Sequence, residues 1–550
     1  MTTNFNEHYE SLQSPPGHFK HLIDQAGVTE EVLAYTYMGQ GTAASPFIVD
    51  FLPDDPYNPM KFPKWKRWVY VMIMAFATLA VSFSSSAFSS ATADVMKSFH
   101  VSTDVAILGV SLFVLGFAIG PLLWAPMSEF YGRQIIYFIT YLPFVVLNAG
   151  TIGSKNIETI AILRFLAGCF GSSPLSNTPG VVADMFGADE RAFALAIFAG
   201  AAFLGPSLGP IASGFLVNAT GWEWNQGLMA IFSGTTLFAG ALIVPETYTP
   251  YLLRTRAAKL SKLTGKVYRS KMDTNPKSMT EQFKISCKRP WVLLFREPIV
   301  LLASIYVAVI YGTLYMLFAA YPIIFTELRG WDISMTGLAF VGITVGMLIA
   351  VLYYIFIEQR RYLRVMKVHG GHAPPEARLP PAIIGSILLP GGLFWFAWSN
   401  GPEMHWAVPI VGTGLFGAGF IFVFLGLSNY LVDSYVVFAA SALAANSVIR
   451  SIFGAAFPTI TLEIFRRLNI HWASSIPAFL SVLCMPCPFL FYRYGHYIRS
   501  KCKYATEAAS ILRKMLNQPD TGSEEDKTDG TEFEIRMTEL NQNSKTLEGL

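Results

Sequence analysis

Two arginines stand inside long apolar stretches of the sequence, each followed by small or helix-bending residues. Arg164 precedes Gly168 and Gly171, and Arg450 precedes Gly454 and Pro458. A guanidinium held in hydrocarbon costs ~3 to more than 10 kcal/mol, so each must find an anion, a carbonyl or a carboxylate, or reach the membrane surface. Arg164 lies close enough to the end of its stretch to snorkel. Arg450 lies deeper, and two readings stay open. Its charge serves an anionic substrate group or the proton affinity of a nearby carboxylate, or it satisfies carbonyls freed by the kink at Pro458. The acids Asp94, Glu129, Asp184, Glu327 and Asp433 all fall near the ends of apolar stretches. A proton carrier is therefore not visible, and a polycation would find no deep counter-charge. A neutral or anionic, partly aromatic molecule fits such an interior better.

Three stripes at helical spacing could line a substrate cavity. Ser82, Ser85, Ser86 and Ser89 form a hydroxyl stripe, and Tyr311, Tyr315 and Phe318 an aromatic one. Gly419, Phe422, Gly426, Asn429 and Asp433 share a third face. A polar stripe in a membrane helix turns away from lipid, and small molecules favour apolar, aromatic walls with a few polar groups. Each stripe fits helix–helix packing equally well.

Glycines mark close approaches. Gly116 and Gly120 form a small-xxx-small pair. Soon after come Glu129 and Arg133 in a very short loop, where an acid can meet the free N–H groups of a neighbouring helix N-terminus. The plainer reading is a turn with one ion pair. Gly200, Gly205-Pro206, Gly209-Pro210 and Gly214 crowd one stretch. That density would break a soluble helix; in a membrane it permits close packing and a kink.

Other chemistries are excluded by what the chain lacks. Gly265-Lys266 is followed by Val267 without the upstream glycines of a phosphate-binding loop, so ATP is not the direct energy source. None of the nine histidines falls deep in an apolar stretch, and His369 and His372 read as a plain turn. Cys484 and Cys487 have redox spacing but lie in an apolar run. No metal and no cofactor is expected.

The elements that carry these residues follow from composition. Of 550 residues, 53% are hydrophobic and only 14% charged, against about 25% charged in soluble domains. Too few charges exist to clothe soluble cores, and the 14% of aromatic residues excludes general disorder. Five cysteines exclude a disulfide scaffold. A bilayer crossing needs about 20 apolar residues. Twelve runs qualify, at 68–90, 105–125, 134–153, 157–182, 191–217, 226–244, 298–320, 336–357, 381–399, 406–431, 436–460 and 473–492. The chain thus divides into a polar tail (1–67), six spans (68–247), a central loop (248–297), six more spans (298–492) and a second tail (493–550) that ends acidic at Glu524, Glu525, Asp526 and Asp529. The fold class is all-α integral membrane: twelve helices in two six-helix bundles around a central cavity.

Basic residues set the orientation. The 248–297 loop holds twelve Lys and Arg, and Arg360, Arg361, Arg364, Lys367 and Arg378 follow span 8. The other side has only Lys97, Lys155, Arg329, Arg466 and Arg467. Both termini and the central loop are expected to be cytoplasmic. The basic loop suits anionic lipid headgroups and needs no nucleic acid. The sequon Asn218-Ala219-Thr220 falls on the outer side, so Asn218 is a glycosylation candidate.

Over about residues 45–505 these features resemble the major facilitator superfamily, and more narrowly its fungal twelve-span drug:proton antiporters. The stretch Trp124 to Arg133 is similar to the superfamily's acid-x-x-Gly-Arg signature, with Ala125 at the leading glycine, Glu129 for the usual aspartate, and Phe130 and Gln134 at basic positions. Span 5 resembles the antiporter motif, and Arg164 the span-4 arginine. Pro245-Glu246-Thr247-Tyr248, Pro375-Glu376-Ala377-Arg378-Leu379 and Asn429 to Tyr435 are also family-like, whereas Trp222-Glu223-Trp224 departs from Trp-Arg-Trp. The resemblance implies a multi-pass cell-membrane transporter, not an enzyme. It would export a hydrophobic drug, toxin or secondary metabolite in exchange for protons, as a monomer, with Glu129, Arg133, Arg164, Arg450 and Asp433 in coupling. Proton-coupled uptake, or a transporter-like sensor signalling through its tails, are the alternatives.

Overall fold

The computed structural model describes residues 18–272, 279–369 and 373–516. His372 and the acidic stretch Glu524 to Asp529 lie outside the described residues. Eleven helical runs are long and apolar enough to cross a bilayer, and one of them, Ala407–Arg467, turns at Val436, where φ is 29°. That run holds two helices, so the described residues contain twelve spans. They are α1 (Lys64–Phe99), α2 (Leu108–Tyr131), α3 (Arg133–Ile152), α4 (Ile157–Met185), α5 (Ala188–Thr220), α6 (Trp222–Ile243), α7 (Pro298–Tyr321), α8 (Ile333–Val368), α9 (Pro380–Ser399), α10 (Ala407–Tyr435), α11 (Ala439–Arg467) and α12 (Ile470–Lys501). Several outrun the apolar runs that announce them. Hydropathy marks only the part in hydrocarbon, while the helical hydrogen-bond ladder continues beyond it.

Sharp corners join the helices. Gly132, at φ 94°, is the only residue between α2 and α3, and Gly221, at φ 87°, plays the same part between α5 and α6. A side chain is strained at such angles. Prolines begin α7 and α9, where the missing N–H has no intrahelical partner to lose.

The helices form two bundles, α1 to α6 and α7 to α12. In the first, α1 packs along α5 and α2 along α4; in the second, α7 packs along α11, and α10 along α8 and α9. The bundles meet where α2 faces α11 and α5 faces α8. We call the side carrying the start of α1, the end of α12 and the long central connection basal, and the other side distal.

On the basal side the first tail and the central connection fold together, although the sequence reads both as polar connections. Strand β1 (Phe47–Val49) pairs in parallel with β2 (Tyr268–Ser270). Val32 and Val49 of the tail share a small core with Leu253, Ala257 and Leu260 of the helix Thr249–Thr264. Arg256, expected among the lipid-facing basic residues, is buried there. It pairs with Asp55 and donates to the Ala26 carbonyl at 2.9 Å. Lys259 pairs with Asp24 at 3.1 Å and Lys271 with Asp50 at 2.7 Å. Part of the basic excess is therefore neutralised by acids far earlier in the chain, which a local charge count cannot see.

Candidate transport site

Arg450 projects from mid-α11 into the seam between the bundles. Its guanidinium lies 4.8 Å from the Tyr311 ring centre and 5.6 Å from that of Phe424. Phe424 touches Phe203 of α5 at 4.2 Å between ring centres. From Tyr311 a hydroxyl path crosses to the first bundle: Tyr311 donates to Tyr315 at 3.4 Å, and Tyr315 meets Ser85 of α1 at 2.7 Å. The site joins α1, α5, α7, α10 and α11 around one cation and four rings. The i, i+4 spacing of Tyr311 and Tyr315 brings their rings 4.9 Å apart, tilted by 43°, on one helix face.

Arg164 behaves differently. It does not snorkel; it is fully buried inside the first bundle. Its Nε donates to the Gly109 carbonyl at 3.0 Å and its Nη2 to the Ser84 carbonyl at 2.9 Å, with the Phe113 ring 4.3 Å away. It ties α4 to α1 and α2 by taking up backbone acceptors.

The stripes divide. Ser85 faces the seam, but Ser82 and Ser86 do not line a cavity: they pack against Gly205 and Gly209 of α5. A Cβ on Gly205 would lie 2.5 Å from Ser82 Cβ, and one on Gly209 2.1 Å from Ser86 Oγ. Gly200 is looser, 3.5 Å from Val351 of α8. Beyond Pro206, the carbonyl of Pro210 lies 2.3 Å from where a Cβ on Gly337 of α8 would stand, so α5 is wedged between both bundles. Phe318 turns toward Phe340 of α8, at 5.4 Å. Phe422 and Asn429 face away from the seam: Phe422 packs on Tyr353 at 5.2 Å, and Asn429 donates to Tyr354 at 2.6 Å. The seam-facing residues of α10 are Phe420 and Phe424 instead. Polarity chose the wrong face of α10; the run Phe416, Phe420, Phe424 at four-residue spacing was the available signal.

A basal polar network closes each bundle. Arg133 pairs with Asp184 at 3.4 Å and donates to Ser128 at 2.7 Å, above the Tyr248 ring at 4.8 Å. The acid at the α3 N-terminus is Glu246, not Glu129. Its carboxylate accepts the N–H groups of Arg133 (2.9 Å), Gln134 (3.0 Å), Thr247 (2.9 Å) and Tyr248 (2.8 Å). Glu246 reaches the α3 N-terminus because the chain leaving α6 turns back under it. Burial pushes the Glu246 carboxyl above its ordinary range, against the opposing pull of those four N–H groups. Tyr248 is pushed up to about 12, first by burial and then by the charge of Glu129. The second bundle repeats the plan. Arg378, leading into α9, pairs with Asp433 at the end of α10 at 2.8 Å, with the Tyr362 ring beneath it at 3.3 Å. Asp433 thus belongs to a basal ion pair and not to the seam. Glu376 pairs with Arg499 of α12. This repeat of an arginine before the third helix and an acid ending the fourth was not evident from the sequence.

Distally the bundles are tied together. Arg466 pairs with Asp104 at 2.9 Å, and Asn218, exposed on this side, donates to Asp332 at 3.4 Å.

Twelve spans in two repeated halves, with a charged aromatic centre at their seam, define a membrane transporter and not an enzyme. The chain belongs to the Major Facilitator Superfamily, whose family model matches residues 74–458. It is 50% identical over 520 residues to the efflux pump FUBT of Fusarium oxysporum, covering 94% of this chain and 88% of that one. It is 51% identical over 522 residues to the multidrug transporter mdrA of Aspergillus fumigatus, covering 94% and 86%. The solved proton:xylose symporter XylE shares the fold at a TM-score of 0.57 and 15% identity, over 79% of this chain and 96% of that one. The protein is a multi-pass membrane transporter of small molecules.

Proposed function

We propose that the chain exports a hydrophobic small molecule across the cell membrane in exchange for protons, as a monomer with both termini cytoplasmic. The observation that carries this reading is the seam site: Arg450 between Tyr311 and Phe424, apolar on most sides and polar at one point. The relatives named efflux pump and multidrug transporter support the outward direction. The basic residues of the basal side support a cytoplasmic basal face. The distal ties at Arg466 and Asn218 hold the two bundles together on the side opposite that face.

Arg133, Asp184 and Glu246 tie the basal ends of α3, α4 and α6 together, so the first bundle can move as one body as the bundles rock. Proton exchange is tested in cells lacking their own exporters. A protonophore at clamped ATP stops efflux if the gradient drives it; efflux that persists refutes proton coupling. Accumulation of a toxic compound in cells expressing the protein, in place of its loss, would mean uptake.

A further inference from the structure

We propose that the transported molecule is an aromatic organic anion and that Arg450 recognises its charge. This rests on the transport reading above and narrows it to a substrate class.

The two membrane arginines are satisfied very differently. Arg164 places Nε and Nη2 on two backbone carbonyls. Among the described residues, Arg450 makes a single long hydrogen bond, from Nη2 to Ser447 Oγ at 3.4 Å, and its buried Nε meets no acceptor. It does not take up the carbonyl freed by Pro458, which was the structural reading open to it. Among the described residues no carboxylate pairs with it, so the reading in which it tunes a neighbouring acid lacks that acid. A buried donor without an acceptor is a standing cost that a bound acceptor removes. Five donors in a planar fork match a carboxylate or a similar delocalised oxyanion.

The walls give the rest of the ligand. Tyr311 and Phe424 flank the guanidinium, and Phe203 extends the aromatic surface from the opposite bundle. An aromatic ring attached to the anionic group can stack there while its charge meets Arg450. A cationic substrate would instead meet an uncompensated like charge with no acid to offset it. Because the site draws on both bundles, an anion held there bridges them, as a load that must be carried through the rocking motion requires.

The test uses the purified full-length protein and three probes of one shape: 1-naphthoate, 1-naphthamide and 1-naphthylmethylammonium. Equilibrium binding is measured for the native protein, Arg450→Lys and Arg450→Gln, and the same probes are followed in proteoliposomes. Naphthoate is expected to bind about tenfold to a hundredfold more tightly than the amide, with the ammonium weakest. Arg450→Gln erases that preference, and Arg450→Lys keeps the order with a smaller gap. Unliganded thermal melts separate loss of recognition from loss of fold, and Arg450→Lys keeps the question answerable if the Gln variant does not fold. Equal binding of naphthoate and amide, tightest binding of the ammonium, no binding of naphthoate, or an unchanged preference in both variants overturns the proposal. Transport of amide and ammonium by the native protein without charge preference would leave the exporter reading standing and remove this one. Charge-selective binding without transport of any probe would keep Arg450 as an anion-binding group and overturn its role in a transported load.

Discussion

Replacing Gly205 by alanine asks whether α5 acts through close contact with α1. The added Cβ would stand 2.5 Å from Ser82 Cβ, 2.9 Å from the Phe83 backbone nitrogen and 3.0 Å from the Ser82 carbonyl carbon. Carbon atoms in contact lie ~3.5–4.0 Å apart, so the helices must separate by roughly 1 Å. Two of those three neighbours are backbone, so a side-chain rotation does not relieve the overlap. Overpacking of this kind costs about 1–3 kcal/mol, against about 1 kcal/mol gained when alanine replaces a helical glycine. Gly200→Ala supplies the control, because its Cβ meets Val351 at an ordinary 3.5 Å. It keeps the helical gain without the overlap. The two variants should therefore differ by about 1–3 kcal/mol, or about 2–12 °C in melting temperature for a domain the size of one bundle. Gly205→Leu, with three further carbons facing the α1 backbone, should abolish efflux while still reaching the membrane. The readouts are a fluorescence melt in detergent and efflux per folded molecule. If Gly205→Ala and Gly200→Ala melt together and export equally, the close approach of α1 and α5 is not what these glycines serve.

Three further outcomes are expected. Arg164→Met leaves the Gly109 and Ser84 carbonyls without their donors, and each charge-assisted bond lost costs ~1.5–3 kcal/mol; the yield of monodisperse protein on size exclusion should fall, and a native yield would contradict the tie. Asp55→Asn leaves Arg256 buried and without its counter-ion, a loss of ~3–5 kcal/mol, so limited proteolysis should cut early within residues 18–63 while the helical bundles melt as before; an unchanged cleavage pattern would refute a folded basal unit. Asn218→Gln should run faster on a gel when the protein is made in a eukaryotic host, and identical mobility would mean the sequon stays bare.

Much of the architecture was legible because a bilayer imposes a one-dimensional rule. A crossing helix must satisfy its own backbone and stay apolar for about 20 residues, so twelve runs and their division into six and six could be counted. The glycines of α5 were legible as contact points for the same reason: in lipid, small residues are what lets helices approach. The basal fold was not legible. Leu253, Ala257 and Leu260 bury themselves against Val32 and Val49 of a tail two hundred or so positions away, and neither segment shows a core alone.

By itself the sequence determined the class of protein, the span count, the arginines that hydrocarbon cannot tolerate unpartnered, and the absence of a deep acid. Only the tertiary structure decided what each of these groups meets. Helical spacing places Ser82, Ser85 and Ser86 on one stripe, but not which helix passes that stripe; α5 took two of them and left Ser85 to Tyr315. The same holds for α10, whose rotation about its axis turned Phe424 and not Phe422 to the seam. The arginines make the point most plainly. Both are guanidiniums in apolar helices, yet the carbonyls of Gly109 and Ser84 come within reach of Arg164 because α1 and α2 cross there, while no acceptor arrives at the Nε of Arg450. Periodicity fixes a residue's position on its own helix; its partners depend on how neighbouring helices rotate and cross, which is a property of the packed bundle.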